Sequence, residues 1–291
     1  MSWFAVSGPT RSRPSLLDEA PAATPEYRGG SGPPLLLLHG FASTWRAWRP
    51  VLPLLEGTHT VLAPTLPGHS GAPGLPPGSA TSVQAIADEL ERMLDAERID
   101  RAHVSGNSMG GWLALELARR GRARSVVALS PGGAWSADSR MSRTLAKVRL
   151  SARAMRLAGD RLDGPLRRPK WRRVLFRDMV EHGDRIDPAE ARAAMRDLAG
   201  CPIFQPLIAS MMNQQLDPIP DIVDCAIRIA WAERDRVIPP HRFLPAMRER
   251  VPGAEFMILP RVGHVPMSDN PELVATTILD VTKSASAQDG A

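Results

Sequence analysis

The residues with the clearest capacity for chemistry lie in Gly106-Asn107-Ser108-Met109-Gly110, a G-x-S-x-G frame with a serine at its centre. A serine hydroxyl is a poor nucleophile until a base takes its proton, so such a residue must be exposed, held in a sharp turn and set beside a histidine. Glycines at 106 and 110 remove the side chains that would collide where a strand and a helix pack almost on top of one another. The helix N-terminus also presents free N–H groups beside the oxygen. Five such letters arise by chance, so the flanks decide. Arg101-Ala102-His103-Val104-Ser105 reads as an inner strand, and Trp112-Leu113-Ala114-Leu115-Glu116-Leu117-Ala118 as a strong helix former ending at Arg119-Arg120-Gly121. The expectation is strand, elbow, helix, with Ser108 at the apex.

A base and an acid are then needed. Of the 7 histidines, His264 in Arg261-Val262-Gly263-His264-Val265-Pro266 follows the last predicted strand, on the edge where a base for Ser108 must stand. His39 and His69 share that edge but sit in turn clusters, and hydrogen bonds that hold those loops are their expected task. His59, His103, His182 and His241 read as strand or surface residues. Asp235, in Glu233-Arg234-Asp235-Arg236, follows the strand predicted at 226–231 and gives the chain order Ser, Asp, His, with Glu233 as the alternative acid. The segment Ser130-Pro131-Gly132-Gly133, after an earlier strand, offers no carboxylate. An oxyanion hole takes two backbone N–H groups aimed where charge develops. Met109 is expected to supply one and Phe41 the other, on a loop that Gly40 leaves free to turn. Gly40 and Trp135 are the candidate substrate-binding residues.

These side chains must be carried by particular elements. Pro33-Pro34-Leu35-Leu36-Leu37-Leu38 is a continuous apolar run fit for a strand buried on both faces, and it delivers the loop from His39 to Thr44. A helix is expected over 45–55, a strand over 58–63 running into the turn 66–71, and a helix over 79–97 with Val83, Ile86, Ala87, Leu90 and Leu94 at helical spacing. Strands follow at 125–129, 226–231 and 255–259, with helices from about Pro240 to Arg250 and from Pro271 to about Lys283. Strands alternating with helices predict an α/β fold with a right-handed, mostly parallel, doubly wound sheet. The gap of about ninety residues between the strands at 125–129 and 226–231 is too long for a loop and is patterned as helices. It is expected to be a helical cap over 135–220, inserted between core segments 33–134 and 221–285. Residues 1–32 are expected to be an irregular leader with edge strands, and 286–291 a flexible tail.

Composition narrows the class. At 291 residues and 43% hydrophobic content the chain can bury a substantial core. The formal charge of +5 is small for this length but unevenly spread: thirteen Lys or Arg lie between Ser139 and Arg177 against two acids, Asp160 and Asp163. That stretch reads as a solvated face of the cap, and it is also compatible with an acidic substrate or peripheral contact with a lipid surface. No reading-helix motif or aromatic–basic platform points to nucleic acid. Cys201 and Cys225 have no metal spacing and no disulfide framework. The start of the chain lacks a signal-peptide pattern, and no apolar run is long enough to span a bilayer, so a cytoplasmic location is expected.

Taken together, His39-Gly40-Phe41, Leu66-Pro67-Gly68-His69-Ser70, Gly106-Asn107-Ser108-Met109-Gly110-Gly111, Asp235 and Gly263-His264 resemble the α/β-hydrolase superfamily over roughly Pro33 to Leu279. The resemblance implies a hydrolase without cofactor or metal that works through an acyl-enzyme. In that scheme Ser108 attacks, His264 shuttles the proton, Asp235 orients His264, and Phe41 and Met109 hold the oxyanion. Asn107 and Met109 are also similar to the meta-cleavage-product carbon–carbon hydrolases, although Gly40-Phe41-Ala42-Ser43 lacks their Gly-Pro-Gly stretch. Epoxide hydrolases and haloalkane dehalogenases resemble this fold too but use aspartate where Ser108 stands, and both activities are expected to be excluded. The expected substrate is a small carboxylic ester or related acyl compound. A carbon–carbon hydrolase, a cofactor-free perhydrolase and a non-enzymatic binding protein are the alternatives.

Overall fold

The computed structural model describes residues 26–135, 139–220 and 224–289. Among the described residues seven strands form one sheet: β1 Glu26–Gly30, β2 Pro34–Leu38, β3 Thr60–Pro64, β4 Ala102–Asn107, β5 Ala123–Leu129, β6 Ala226–Ala232 and β7 Glu255–Leu259. Their spatial order is β1-β3-β2-β4-β5-β6-β7. β1 lies antiparallel on β3 at the edge, and the other pairings are parallel. From β2 the chain goes to one side for β3 and crosses back to the other for β4. The loops after β2 and β4 therefore part from each other at the carboxyl edge, where a parallel sheet of this kind opens its crevice.

β2 shows why the sheet needs a layer on both faces. Leu35 and Leu37 pack with Trp48, Leu55, Val274 and Ile278, whereas Leu36 and Leu38 pack with Ile86, Leu90, Trp112 and Leu113. Successive strand side chains point to opposite faces, so an unbroken apolar run is stable only when both faces are covered. The helix expected over 45–55 is divided into a 3-10 turn, Trp45–Trp48, and the short α1, Leu52–Leu55. Pro50 and Pro53 cannot donate, and the break is bridged by the tighter bonds Arg49 N–H to Arg46 O and Val51 N–H to Trp48 O. Helix α2, Val83–Ala96, buries the predicted stripe of Val83, Ile86, Ala87, Leu90 and Leu94, and the Ser82 hydroxyl accepts from Ala85 N–H at its start. Helix α3, Met109–Arg119, is buried from Met109 to Ala118, because it lies between the sheet and further layers of the core.

The segment between β5 and β6 contains α4 Ser139–Ala158, α5 Asp163–Leu166, α6 Pro169–Leu175, α7 Pro188–Ala199 and α8 Phe204–Met211. Prolines at the first helical turns of α6 and α7 start those helices without losing a bond, and Asp187 caps α7 by accepting from Ala189 and Glu190 N–H. Leu166, Ala191 and Met195 form a small core of their own. Most of the basic stretch faces solvent, including Arg149, Arg153, Arg167, Arg168 and Arg173. Among the described side chains of this stretch Arg172 is the exception: it is buried and donates to the carbonyls of Leu166 and Asp184.

After β6 come α9 Pro240–Arg250, α10 Pro266–Asp269 and α11 Pro271–Asp289. Two boundaries differ from the sequence reading. α10 puts a helical turn inside the segment 260–269, and α11 continues to Asp289 through residues expected to be a flexible tail, with the Ser284 and Ser286 hydroxyls donating to Asp280 and Thr282 carbonyls. Of the leader predicted for 1–32, β1 falls in the described part, and residues 1–25 lie outside it. Among the described residues no helix is long and apolar enough to cross a membrane.

A buried ion pair ties this inserted unit to the core. Asp197 of α7 accepts from Thr44 Oγ1 at 2.9 Å and from Arg46 Nη2 at 2.6 Å, with side-chain exposures of 8% and 16% for Asp197 and Arg46. Asp197→Ala leaves the Arg46 guanidinium enclosed without its counter-charge, and urea unfolding should show a loss of about 3 kcal/mol. A change under 0.5 kcal/mol, the range of ordinary surface substitutions, would show that the pair does not hold the insert.

Candidate active site

Ser108 lies at the sharp turn between β4 and α3. Its φ is 57° and its ψ −115°, a backbone conformation that costs an L-residue about 1–3 kcal/mol. The surroundings fix that conformation. Ser108 N–H donates to Leu129 O at 2.9 Å, and Ser108 O accepts from Gly132 N–H at 2.9 Å and Trp112 N–H at 3.1 Å. The two flanking glycines are required by space. A Cβ on Gly106 would lie 2.0 Å from Gly110 O, and one on Gly110 would lie 2.1 Å from Leu38 O.

His264 and Asp235 come together on the same edge, from the loops after β7 and β6. His264 Nδ1 donates to Asp235 Oδ2 at 2.7 Å, and the two residues are 2% and 4% exposed. The other carboxylate oxygen, Oδ1, accepts from Val237 N–H at 2.9 Å and Ile238 N–H at 2.8 Å. With one oxygen held by backbone amides, the other has a single direction in which to meet the imidazole. Glu233, the alternative acid, faces away from this couple and accepts from Arg261 N–H at 2.7 Å.

The link between the histidine and the elbow is Asn107. Its amide nitrogen donates to His264 O at 2.8 Å and to Leu129 O at 3.2 Å, so the residue before the serine grips the backbone of His264. Among the described residues no hydrogen bond joins Ser108 Oγ to His264 Nε2 directly. Sequence reasoning gave Asn107 no task, since a buried amide in a strand shows its partner only once the fold brings it near. Asp269 was missed as well. It ends α10 and accepts from Gly263 N–H, next to His264, at 2.8 Å.

The loop after β2 stands against the serine. A Cβ on Gly40 would lie 3.4 Å from Ser108 Cβ. Among the described residues no acceptor takes the N–H of Phe41 or that of Met109, the first residue of α3. The Phe41 ring meets Phe204 of α8 at 5.0 Å and His69 at 6.3 Å. Trp135 packs edge-on against Trp112 at 5.2 Å and donates from Nε1 to Gln214 O and Met211 O, at the point where the chain leaves and re-enters the inserted helices. A Cβ on Gly132 would lie 3.3 Å from the Trp135 ring and 3.7 Å from Ser108 O.

The remaining histidines of this edge are structural. His39 is fully buried; Nε2 accepts from Leu66 N–H at 2.8 Å and Nδ1–H donates to Gly40 O at 2.8 Å, which fixes the neutral tautomer. Burial pushes His39 well below the ordinary 6.5, with the neighbouring His69 adding to the effect against the pull of the Gly40 carbonyl. Burial likewise pushes His69 down to about 4, against the Pro67 and Leu66 carbonyls. In the unfolded chain each titrates near 6.5, so between about 6.5 and 4 the unfolded state binds more protons than the folded one. This contribution to stability is complete above pH 6.5 and drains away as pH falls. Lowering pH from 7 to 5 should cost about 2 kcal/mol through His69 alone, and His69→Gln should flatten the pH dependence of unfolding by that amount. An equal slope in wild type and variant would show that His69 is not held neutral.

A model of the alpha/beta hydrolase family matches residues 35–277. The epoxide hydrolase EphH of Mycobacterium tuberculosis is 33% identical over 202 residues, covering 68% of this chain and 93% of that protein. Among solved structures, a thermophilic esterase from Thermogutta terrifontis superposes with a TM-score of 0.69 at 21% identity, over 89% of this chain and 93% of the other. The meta-cleavage product hydrolase CumD from Pseudomonas fluorescens IP01 gives 0.63 at 20% identity, over 89% and 94%. At these identities the two structures speak for the fold alone. Strand order, elbow and family match agree, and the chain belongs to the alpha/beta hydrolase family.

Proposed function

We propose that the chain hydrolyses a carboxylic ester or related acyl compound through an acyl-enzyme on Ser108. The observation that carries this reading is a hydroxyl at the strained elbow on the same edge as the 2.7 Å His264–Asp235 couple. Ser108 Oγ attacks the acyl carbon while His264 Nε2 takes its proton, and Asp235 keeps Nδ1 protonated and stabilises the imidazolium. The amides of Phe41 and Met109 receive the oxyanion, since each is free to donate. His264 returns the proton to the leaving oxygen, then activates water to release the acid. The Ser108–His264 hydrogen bond then forms in the substrate complex, as such contacts commonly tighten there.

The similarity to EphH favours a second reading, epoxide hydrolysis, and the chemistry of residue 108 opposes it. A carboxylate that opens an epoxide forms an ester, which water can then cleave at the carbonyl. A serine oxygen would form an ether, with no carbonyl for water to attack. The likeness to EphH is therefore read as shared fold and shared frame around a different nucleophile.

A panel of p-nitrophenyl esters of graded chain length, with styrene oxide and a vinylogous diketone beside it, tests the assignment. Ester turnover that vanishes in Ser108→Ala, and covalent labelling of the wild type by a fluorophosphonate, are expected. Epoxide opening that survives Ser108→Ala would overturn it. For the acid, Asp235→Asn should lower kcat by roughly 10⁴, because an amide keeps its bond to Nδ1 only in the wrong tautomer. Glu233→Gln should cost less than about threefold, since its partner is a turn amide. The reverse order would move the role to Glu233.

A further inference from the structure

His264 and Asp235 are each buried on loops, and a loop is held in place by what binds its backbone. Both of the residues flanking His264 are bound by one short stretch of the inserted unit, between α6 and α7. Val265 N–H donates to Met179 O at 2.8 Å, and a Cβ on Gly263 would lie 2.8 Å from Val180 Cα. Asp269 then joins the two segments: its carboxylate accepts from Gly263 N–H at 2.8 Å, from Glu181 N–H at 2.9 Å and from His182 N–H at 2.8 Å.

The same stretch grips the acid loop. Glu181 Oε1 accepts from Arg234 Nη1 at 2.8 Å and Oε2 from Arg236 Nη2 at 2.7 Å, so one carboxylate holds the residues on either side of Asp235. Arg236 also donates to Arg177 O, and Arg234 N–H to Val262 O at 3.0 Å, which stitches the acid loop to the base loop. Partial burial raises the Glu181 pKa, but the hydrogen bonds and charges of Arg236 and Arg234 outweigh it and hold the carboxyl below its usual value.

We propose that residues 177–182 form a strap that keeps His264 and Asp235 in register, with Glu181 and Asp269 as positioning residues for the acid–base half of the site. The proposal rests on the serine-hydrolase reading above. Its consequence is that this part of the insert moves with the catalytic loops, and that any opening toward substrate takes place elsewhere in the cap. A strap of this kind acts on proton transfer, so its loss lowers kcat and leaves substrate affinity near its original value. Displacing a catalytic group by about 1 Å is sufficient for losses up to a hundredfold.

The experiment compares Asp269→Asn, Glu181→Ala and Glu181→Gln with Asp187→Ala, which uncaps α7 in the same insert without touching the strap. Wild type and variants are assayed for kcat and KM on one p-nitrophenyl ester, with thermal unfolding for each, and the downfield Nδ1–H proton resonance of His264 is recorded without substrate. Asp269→Asn should lower kcat by about ten- to a hundredfold with KM within twofold, and Glu181→Ala by about tenfold, while Glu181→Gln, which still accepts from one arginine, recovers part of the loss. Asp187→Ala should lower the unfolding temperature and keep kcat. In the strap variants the resonance should exchange faster with water or disappear. Loss of kcat in Asp187→Ala in proportion to its stability, or wild-type kcat and an unchanged resonance in Asp269→Asn and Glu181→Ala, would overturn the strap. If no ester is turned over yet the resonance changes as described, the strap stands and the substrate reading fails.

Discussion

The approach of α3 to the sheet governs the rest of the molecule. Gly106 and Gly110 allow the helix to come so near β2 and β4 that an added methyl would meet backbone oxygen at 2.0–2.1 Å. No side chain of any kind fits there, and no rearrangement short of moving the helix would admit one. That closeness puts the helix N-terminus, with its unpaired amides, at the carboxyl edge of the sheet. It also forces the residue between strand and helix into a left-handed turn. Ser108 takes the strain, and bonds from Leu129, Gly132 and Trp112 keep it there.

Around this fixed point the second half of the site is assembled from loops, and carboxylates do the assembling. A carboxylate has two oxygens and about four lone-pair directions, so a single side chain can gather several amides or arginines that are far apart in sequence. Asp235 turns one oxygen to two amides of its own loop and the other to His264. Asp269 gathers amides from residues 181, 182 and 263. Glu233 secures the turn that begins the loop carrying His264. Buried amides without partners are costly, which gives each of these acids a structural task whatever the chemistry beside them.

The inserted helices are joined to the core at several places and by different means. Phe204 meets Phe41 by ring contact, Ile203 N–H donates to Gly68 O, and Asp197 holds Thr44 and Arg46. These contacts reach the loops that follow β2 and β3, while residues 177–182 reach the loops that follow β6 and β7. The basic character of the insert is carried on its outside, and Arg172, turned inward, spends its charge on carbonyl oxygens that the short helices leave open.

Much of this was legible in the chain itself. Pro34 to Leu38 read as a strand covered on both faces, Gly106 to Gly110, with its flanks, as a tight turn from strand to helix, and the long stretch before Ala226 as helices between two strands, because each is a local pattern with a local cause. The choice between Asp235 and Glu233 was of another kind. Both follow β6 within a few residues and both can accept hydrogen bonds; which one meets His264 is set by the direction in which the loop leaves the strand, and that depends on the packing of two loops and the insert together. The same holds for Asn107, Asp269 and Glu181, whose partners lie up to 157, 88 and 55 positions away. Sequence fixes what a polar side chain is able to bind, but a hydrogen bond needs its partner within about 3 Å and in line. Only the folded chain decides which of the many able groups is there.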